Sequence, residues 1–246
     1  FVAIAASETC SFALESDGHA WSWCAVPSAE LGDPTRARRS VPRIVNEATA
    51  WRSLAASGHH SLGVTAAGEL WQWGQTAPGS ADPSKLAVPM RTTTPAIAWR
   101  TVTAGPEQFA GIAEDGTLWT WGRNGTGGVL GHGGFTDVGE PQQIGPERSW
   151  SEAAYGERHG IFLATDGTLW GIGHDDKGQL AGGGSDSRLH AIATDRTWRH
   201  VAAGMEHSLA IATDGTLWAW GANGLGQLGD GTQVNRSAPV QIGHDR

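Results

Sequence analysis

Near its C-terminal end the chain runs Ser208-Leu209-Ala210-Ile211-Ala212, breaks at Thr213-Asp214-Gly215, and resumes as Thr216-Leu217-Trp218-Ala219-Trp220. This pattern predicts two short strands, 208–212 and 216–220. They are joined by a three-residue hairpin in which Gly215 takes the positive φ that closes a bulged turn. Trp218 and Trp220 are two residues apart, so both project from one face of their strand. No part of the chain keeps an apolar period of 3.6 residues, and Gly and Pro interrupt it too often for long helices. An all-β fold is expected.

The same hairpin recurs along the whole chain. Asp17-Gly18 precedes Trp21 and Trp23, and Gly68 precedes Trp71 and Trp73. Asp115-Gly116 precedes Trp119 and Trp121, and Asp166-Gly167 precedes Trp170. The five glycines Gly18, Gly68, Gly116, Gly167 and Gly215 are 50, 48, 51 and 48 residues apart. Trp51, Trp99, Trp150 and Trp198 each lie 17 residues before their glycine, with Phe1 in that place in the first unit. The expected domain is therefore one array of five units, 1–50, 51–98, 99–149, 150–197 and 198–246. A unit of this size, holding about four strands, cannot bury both faces alone and must stack on its neighbours. Indole rings suit the wedge between radially arranged sheets, so a propeller of five four-stranded blades is expected. Trp21, Trp71, Trp119, Trp170 and Trp218 are expected to be framework rings in that wedge. All 13 Trp fall on three repeated positions, leaving none for a ligand.

Composition narrows the function. With 36 Gly the chain is rich in turns, and its net charge of −8 argues against a nucleic-acid partner. No stretch approaches the roughly 20 apolar residues of a membrane helix, so membrane insertion is not expected. The chain starts at Phe1 rather than Met, consistent with a mature or excised segment. Two cysteines can make one bridge. A three-residue loop at Ser16-Asp17-Gly18 pairs residues whose numbers sum to 34, which sets Cys10 opposite Cys24 as a candidate disulfide and points to an oxidising compartment. Two buried free thiols are the alternative.

The run Ala202-Ala203-Gly204-Met205-Glu206-His207-Ser208-Leu209-Ala210, with Asp214-Gly215, Trp220-Gly221, Asn223 and Gly226-Gln227-Leu228-Gly229, resembles the repeat of the regulator of chromosome condensation propellers. The likeness extends to all five units and is strongest in the last. The resemblance implies a propeller of four-stranded blades, usually seven, which would need roughly 340 residues. A five-repeat portion of a seven-bladed ring is therefore the alternative to a five-bladed one. Beginning and ending on a unit boundary favours five blades, whereas an open arc would leave two raw edges needing a partner. Proteins of this resemblance include a nucleotide exchange factor, a plant ultraviolet-B photoreceptor and bacterial β-lactamase inhibitors, so the fold does not choose the task.

Candidate chemistry is sparse. Cys10, His60, Gln108, His159 and His207 share one repeat position, and hydrogen bonding is expected of it rather than metal binding. Asp33, Asp175, Asp176 and Asp230 lack calcium-loop spacing and read as solvated turn acids. The Gly-rich stretches 122–134 and 221–231 lack a phosphate-loop ending. No hydrolase motif is present, so no catalytic residue, metal or cofactor is expected. The candidate partner-facing loops are those of Arg36, Arg38 and Arg39, and of Gln75 and Pro78, where the repeat consensus is lost. The expected function is a non-catalytic scaffold that recognises another protein. Only two of the 17 basic residues are Lys, which together with the candidate bridge suggests a bacterial, secreted or surface-exposed subunit (extracellular, periplasmic or cell-surface). An enzyme-inhibiting propeller, a carbohydrate-binding propeller and an undetected hydrolase are the rivals.

Overall fold

The computed structural model describes residues 1–26, 28–35, 37–74, 88–92 and 97–243. Every repeat forms one four-stranded antiparallel sheet with its strands side by side in chain order. The first holds β1 (Ala3–Ala6), β2 (Cys10–Leu14), β3 (Ala20–Cys24) and β4 (Arg39–Ile44). The second holds β5 (Trp51–Ser57), β6 (His60–Thr65), β7 (Leu70–Gly74) and β8 (Met90–Arg91). The third holds β9 (Trp99–Ala104), β10 (Gln108–Ala113), β11 (Leu118–Gly122) and β12 (Val138–Ile144). The fourth holds β13 (Trp150–Tyr155), β14 (His159–Ala164), β15 (Leu169–Gly173) and β16 (Asp186–Ile192). The fifth holds β17 (Trp198–Ala203), β18 (His207–Ala212), β19 (Leu217–Gly221) and β20 (Arg236–Ile242). Among the described residues, helix is limited to two short 3-10 turns, Ala29–Leu31 and Gly125–Gly127, and no helix could cross a membrane. The chain packs as two compact units. One is Phe1–Glu114 with Trp121–Arg123 and Val138–Pro141; the other is Asp115–Thr120, Asn124–Asp137 and Gln142–Arg246.

The hairpin register follows the turn chemistry. Ala212 bonds to Thr216 across the turn, and Gly215, at φ 89°, donates to the Ala212 carbonyl. Asp214 Oδ1 accepts from both the amide and the hydroxyl of Thr216, and the Thr216 hydroxyl oxygen accepts the Trp218 indole N–H at 2.8 Å. Asp115-Thr117-Trp119 and Asp166-Thr168-Trp170 repeat this relay. The aspartate thus fastens the turn and the first Trp together. In the first sheet Cys10 stands directly opposite Cys24, and the two form a disulfide with Cα atoms 4.2 Å apart.

Within the first unit, repeats one and two meet through a layer of Phe12, Leu14 and Ala20 from one sheet against Trp51, Ala56 and Trp73 from the next. The carbonyl of Glu30 receives two donors from repeat two, the Trp73 indole N–H at 2.6 Å and the Ser61 hydroxyl at 3.3 Å. Within the second unit, Ile161, Leu163 and Leu169 of repeat four pack on Trp198, Ala210 and Trp220 of repeat five. There the Gln179 carbonyl accepts the Trp220 indole and the Ser208 hydroxyl, both at 2.9 Å. The backbone also links successive repeats, with Trp51 N donating to Gly18 O and Trp198 N to Gly167 O. Gly63 is required at the first of these joints: a Cβ there would come within 2.5 Å of the Trp51 ring.

The rings that fill these joints are the second hairpin Trp and the Trp that opens each unit. Trp73, Trp220, Trp51 and Trp198 are buried, whereas Trp21, Trp71, Trp119, Trp170 and Trp218 are only half-buried. The first hairpin Trp sits beside the turn, at the rim of the layer. In Trp119, Trp170 and Trp218 the ring edge bonds to the turn threonine, and the faces of Trp170 and Trp218 each take a cation. Arg196 lies 3.5 Å from the Trp218 ring centre and Arg148 lies 4.1 Å from that of Trp170. Trp220→Ala is therefore expected to lower stability by about 3–5 kcal/mol, and Trp218→Ala by clearly less. Urea denaturation of the two variants checks this order; equal losses would contradict it.

Candidate functional site

Three of the expected partner-facing positions, Arg36, Gln75 and Pro78, lie outside the described residues. Arg39 opens β4 opposite Cys24, and its guanidinium pairs with Asp33, which leaves its side chain only 12% exposed. It is therefore part of the loop's own framework. Arg38 and Arg43 are exposed and carry no ion pair among the described residues.

The repeated histidine position opens the second strand of each sheet, and in repeats two and four its side chain meets the following repeat. In the second unit His159 Nε2 lies 3.0 Å from Ser208 Oγ. Ser208 gives its own proton to the Gln179 carbonyl, so its oxygen must accept from the imidazole, which puts the ring proton on Nε2. Nδ1 is left as a buried nitrogen without a hydrogen-bond partner among the described residues. In the first unit His60 meets the Phe109 ring edge-on at 5.3 Å, and Cys10 is used in the disulfide. A cluster of Glu15, Asp17 and His19 sits at the first hairpin turn. Asp17 there holds the His19 amide and ring much as Asp214 holds Thr216, which is turn fastening.

The loop acids are not simply solvated. Asp175 accepts from the amides of Leu180 and Gly184, and Asp33 pairs with Arg39. Asp230 has a nearly buried side chain held by Thr232, Asn223 and Arg236. The Thr232 hydroxyl first, then the Thr232 amide, Arg236 and Asn223, hold the Asp230 carboxyl well below the usual carboxylate range. Only Asp176 fits the sequence expectation, being largely exposed beside His174. The rest bind backbone because a short side chain in a Gly-rich loop lies within reach of several amides.

The long third-to-fourth-strand loops of repeats three, four and five are organised around such hubs, Asp175 being that of repeat four. Asn124 receives the Leu130 amide and donates to the Gly134 carbonyl. Asn223 receives the Leu228 amide and donates to the carbonyls of Thr232 and Val234. The Ala222 amide ties this last loop to Glu206, in the loop between β17 and β18. These two pinned loops of the last repeat carry Met205, Leu225 and Val234, which are 68%, 90% and 60% exposed. These three positions are not among the expected partner-facing loops, which lie in repeats one and two. The signal was present at Leu225, an apolar residue between Gly224 and Gly226 where repeat four has Lys177.

Comparison with known proteins agrees with this architecture. The repeat model described as "Regulator of chromosome condensation (RCC1) repeat" matches residues 115–163 and 214–246, and a second model of that repeat matches 198–227. Human E3 ubiquitin-protein ligase HERC2 is 28% identical over 180 residues, which is 71% of this chain but only 3% of that protein. Human WBSCR16 superposes with a TM-score of 0.81 at 17% identity, covering 97% of this chain and 65% of that one. Prp20p from Saccharomyces cerevisiae, reported with its binding to Gsp1p and histones, has a TM-score of 0.65 at 17% identity, covering 98% and 76%. The chain therefore spans a small fraction of HERC2 and about two thirds to three quarters of the two solved chains.

Burial first, and the neighbouring His207 second, lower the pKa of His159 to about 4. Burial also lowers those of His132 and His207. Each is therefore held neutral, and the unfolded chain takes up the protons first. Stability is full above the ordinary histidine pKa of about 6.5 and declines as pH falls toward 4. His159 should account for about 2 kcal/mol lost between roughly pH 7.5 and 5. Gln stands at this position in repeat three as Gln108, so His159→Gln should remove that share of the slope in urea denaturation. An unchanged slope would contradict the neutral, buried assignment.

Proposed function

Because the chain is built of RCC1-type repeats on the propeller fold, we propose that it is a non-catalytic scaffold that recognises another protein. The observation that supports this reading is three exposed apolar side chains of the last repeat, Leu225 and Val234 on the loop held by Asn223 and Met205 on the neighbouring loop tied to it through Glu206. Loops held in advance lose little freedom on binding, and exposed large apolar side chains at their tips supply the desolvation that drives association. Polar residues that could serve chemistry are engaged in structure: His159 bonds to Ser208, and Asp175 and Asp230 hold loops. Prp20p, with the same fold, is reported with protein partners, which supports a protein partner here. The finer reading is a secreted or surface-exposed bacterial subunit of a larger assembly. It rests on the arginine-over-lysine usage and on the Cys10–Cys24 bridge, a kind of bond that persists in oxidising compartments.

Affinity capture from the native source with the wild-type chain and a Met205→Ser/Leu225→Ser/Val234→Ser variant tests these three side chains. The expected result is one protein retained by the wild type and lost by about tenfold or more in a variant that melts unchanged, equivalent to about 1.4 kcal/mol or more. Equal retention by both would move the site elsewhere. Retention of glycans on an array without any retained protein would replace the scaffold by a carbohydrate-binding propeller.

A further inference from the structure

Repeats two and three are tied together by an arginine. Arg52, which follows the Trp51 that opens repeat two, reaches across the joint and gives its guanidinium to the Trp99 carbonyl at 2.7 Å and to the Glu114 carboxylate. Between repeats four and five the same two positions hold Ser151 and Thr213. The carbonyl that Arg52 uses keeps its place: a Cβ on the turn glycine would lie 3.5 Å from Trp99 O at Gly68 and 3.4 Å from Trp198 O at Gly167. The second joint therefore has the acceptor without the arginine. An open pocket of about 370 Å³ stands there, within the size range of small-ligand sites. Ser151, Thr165 and Asp166 of repeat four and Thr197, Arg199 and Thr213 of repeat five line it, all of them in the second unit.

The hydroxyl protons around this pocket are already engaged. Ser151 donates to the Leu163 carbonyl at 3.0 Å and Thr165 to the Ser149 carbonyl at 3.3 Å. Thr197 and Thr213 are bonded to each other at 3.0 Å, and the Thr213 hydroxyl also lies 3.5 Å from the Thr197 carbonyl. Each of these oxygens keeps a lone pair, so the pocket offers acceptors and calls for a ligand rich in donors. Asp166, where repeat two has Ala67, adds a carboxylate; its Oδ1 holds Thr168 and its Oδ2 faces Arg148 at 3.4 Å. The cation at the rim is exposed Arg199, which follows Trp198 as Arg100 follows Trp99. An arginine at that position is thus compatible with a guanidinium in the slot, because Arg52 occupies the slot beside Arg100.

We propose that this pocket binds an alkylguanidinium group, which takes the place that the Arg52 side chain holds between repeats two and three. The guanidinium would donate to the Trp198 carbonyl and to the oxygens of Ser151 and Thr213, and Asp166 would supply the negative charge that Glu114 supplies to Arg52. Its planar fork of five N–H donors suits several acceptors at once, whereas an anion would face their lone pairs. Two sources carry this group: an arginine side chain in a polypeptide, and a small free guanidine such as arginine itself.

NMR titration of the full chain with N-acetyl-L-arginine methylamide, an arginine side chain without free charges on its backbone, tests this through the amides of Thr165, Thr197 and Arg199. These amides should shift saturably at millimolar probe. The citrulline analogue, which keeps the shape but has no charge and fewer donors, should bind about tenfold more weakly or less. Free L-arginine separates the sources: binding tighter than that of the blocked probe by about tenfold assigns the site to a small free guanidine, and equal or weaker binding assigns it to a polypeptide arginine. Ser151→Arg returns the residue that repeat two carries and should fill the slot from within, abolishing the shifts in a variant that melts no lower than the wild type. If that variant does not fold, Ser151→Arg/Thr213→Glu restores the whole pair found between repeats two and three and should give the same loss. No saturable shift with either guanidine, equal binding of the citrulline analogue, or full binding by a folded Ser151→Arg variant would each overturn the proposal. The probes are small molecules, so the outcome does not depend on the protein partner proposed above.

Discussion

A single backbone carbonyl within a long loop, Glu30 in one joint and Gln179 in another, receives an indole N–H and a serine hydroxyl from the next sheet. A carbonyl oxygen has two lone pairs, and burying it leaves a penalty unless both the geometry and the donors are right. Tryptophan answers two needs with one side chain. Its ring supplies the area that seals two four-stranded sheets, and its N–H reaches the polar atom that the seal would otherwise strand. The serine opposite uses its oxygen as well, accepting from His159 in the joint between repeats four and five. This explains why small residues surround the rings: at Gly63 any side chain would displace Trp51 from the layer.

Joints that fasten the sheets leave the loops free of structural duty at their tips. Asn124, Asp175 and Asn223 each close a long loop on itself through backbone amides and carbonyls. The residues between these anchors can then vary without disturbing the sheets. Lys177 occupies the tip in repeat four and Leu225 in repeat five. A charge in one repeat and an apolar side chain in the next create chemically distinct surfaces from one backbone plan, and this is how a repeat protein acquires a specific face.

Much of this was legible in the sequence. Hairpin register follows from the turn length, so the pairing of Cys10 with Cys24 could be read from residue numbers alone. The five sheets follow from the even spacing of the turn glycines and of the Trp that follow them. Which Trp of each pair fills the joint was not legible. Trp218 and Trp220 share a strand face, and only their distance from the turn decides that one lies at the rim beneath Arg196 and the other inside. Arg39 and Asp230 looked like solvent-facing charges because their partners, Asp33 and Arg236, are brought close by loop folding that composition does not encode. The central acceptors, Glu30 O and Gln179 O, were invisible for a simpler reason: every residue has a carbonyl, and side-chain identity does not say which one will be buried.

Hydrogen exchange of the indole N–H groups, followed by NMR in dilute solution, tests the joint most directly. Trp73 and Trp220, bonded to buried carbonyls, should exchange only through large-scale opening, whereas the rim indoles of Trp119 and Trp218, bonded to turn threonines, should exchange orders of magnitude faster. Comparable rates for all four would contradict the account.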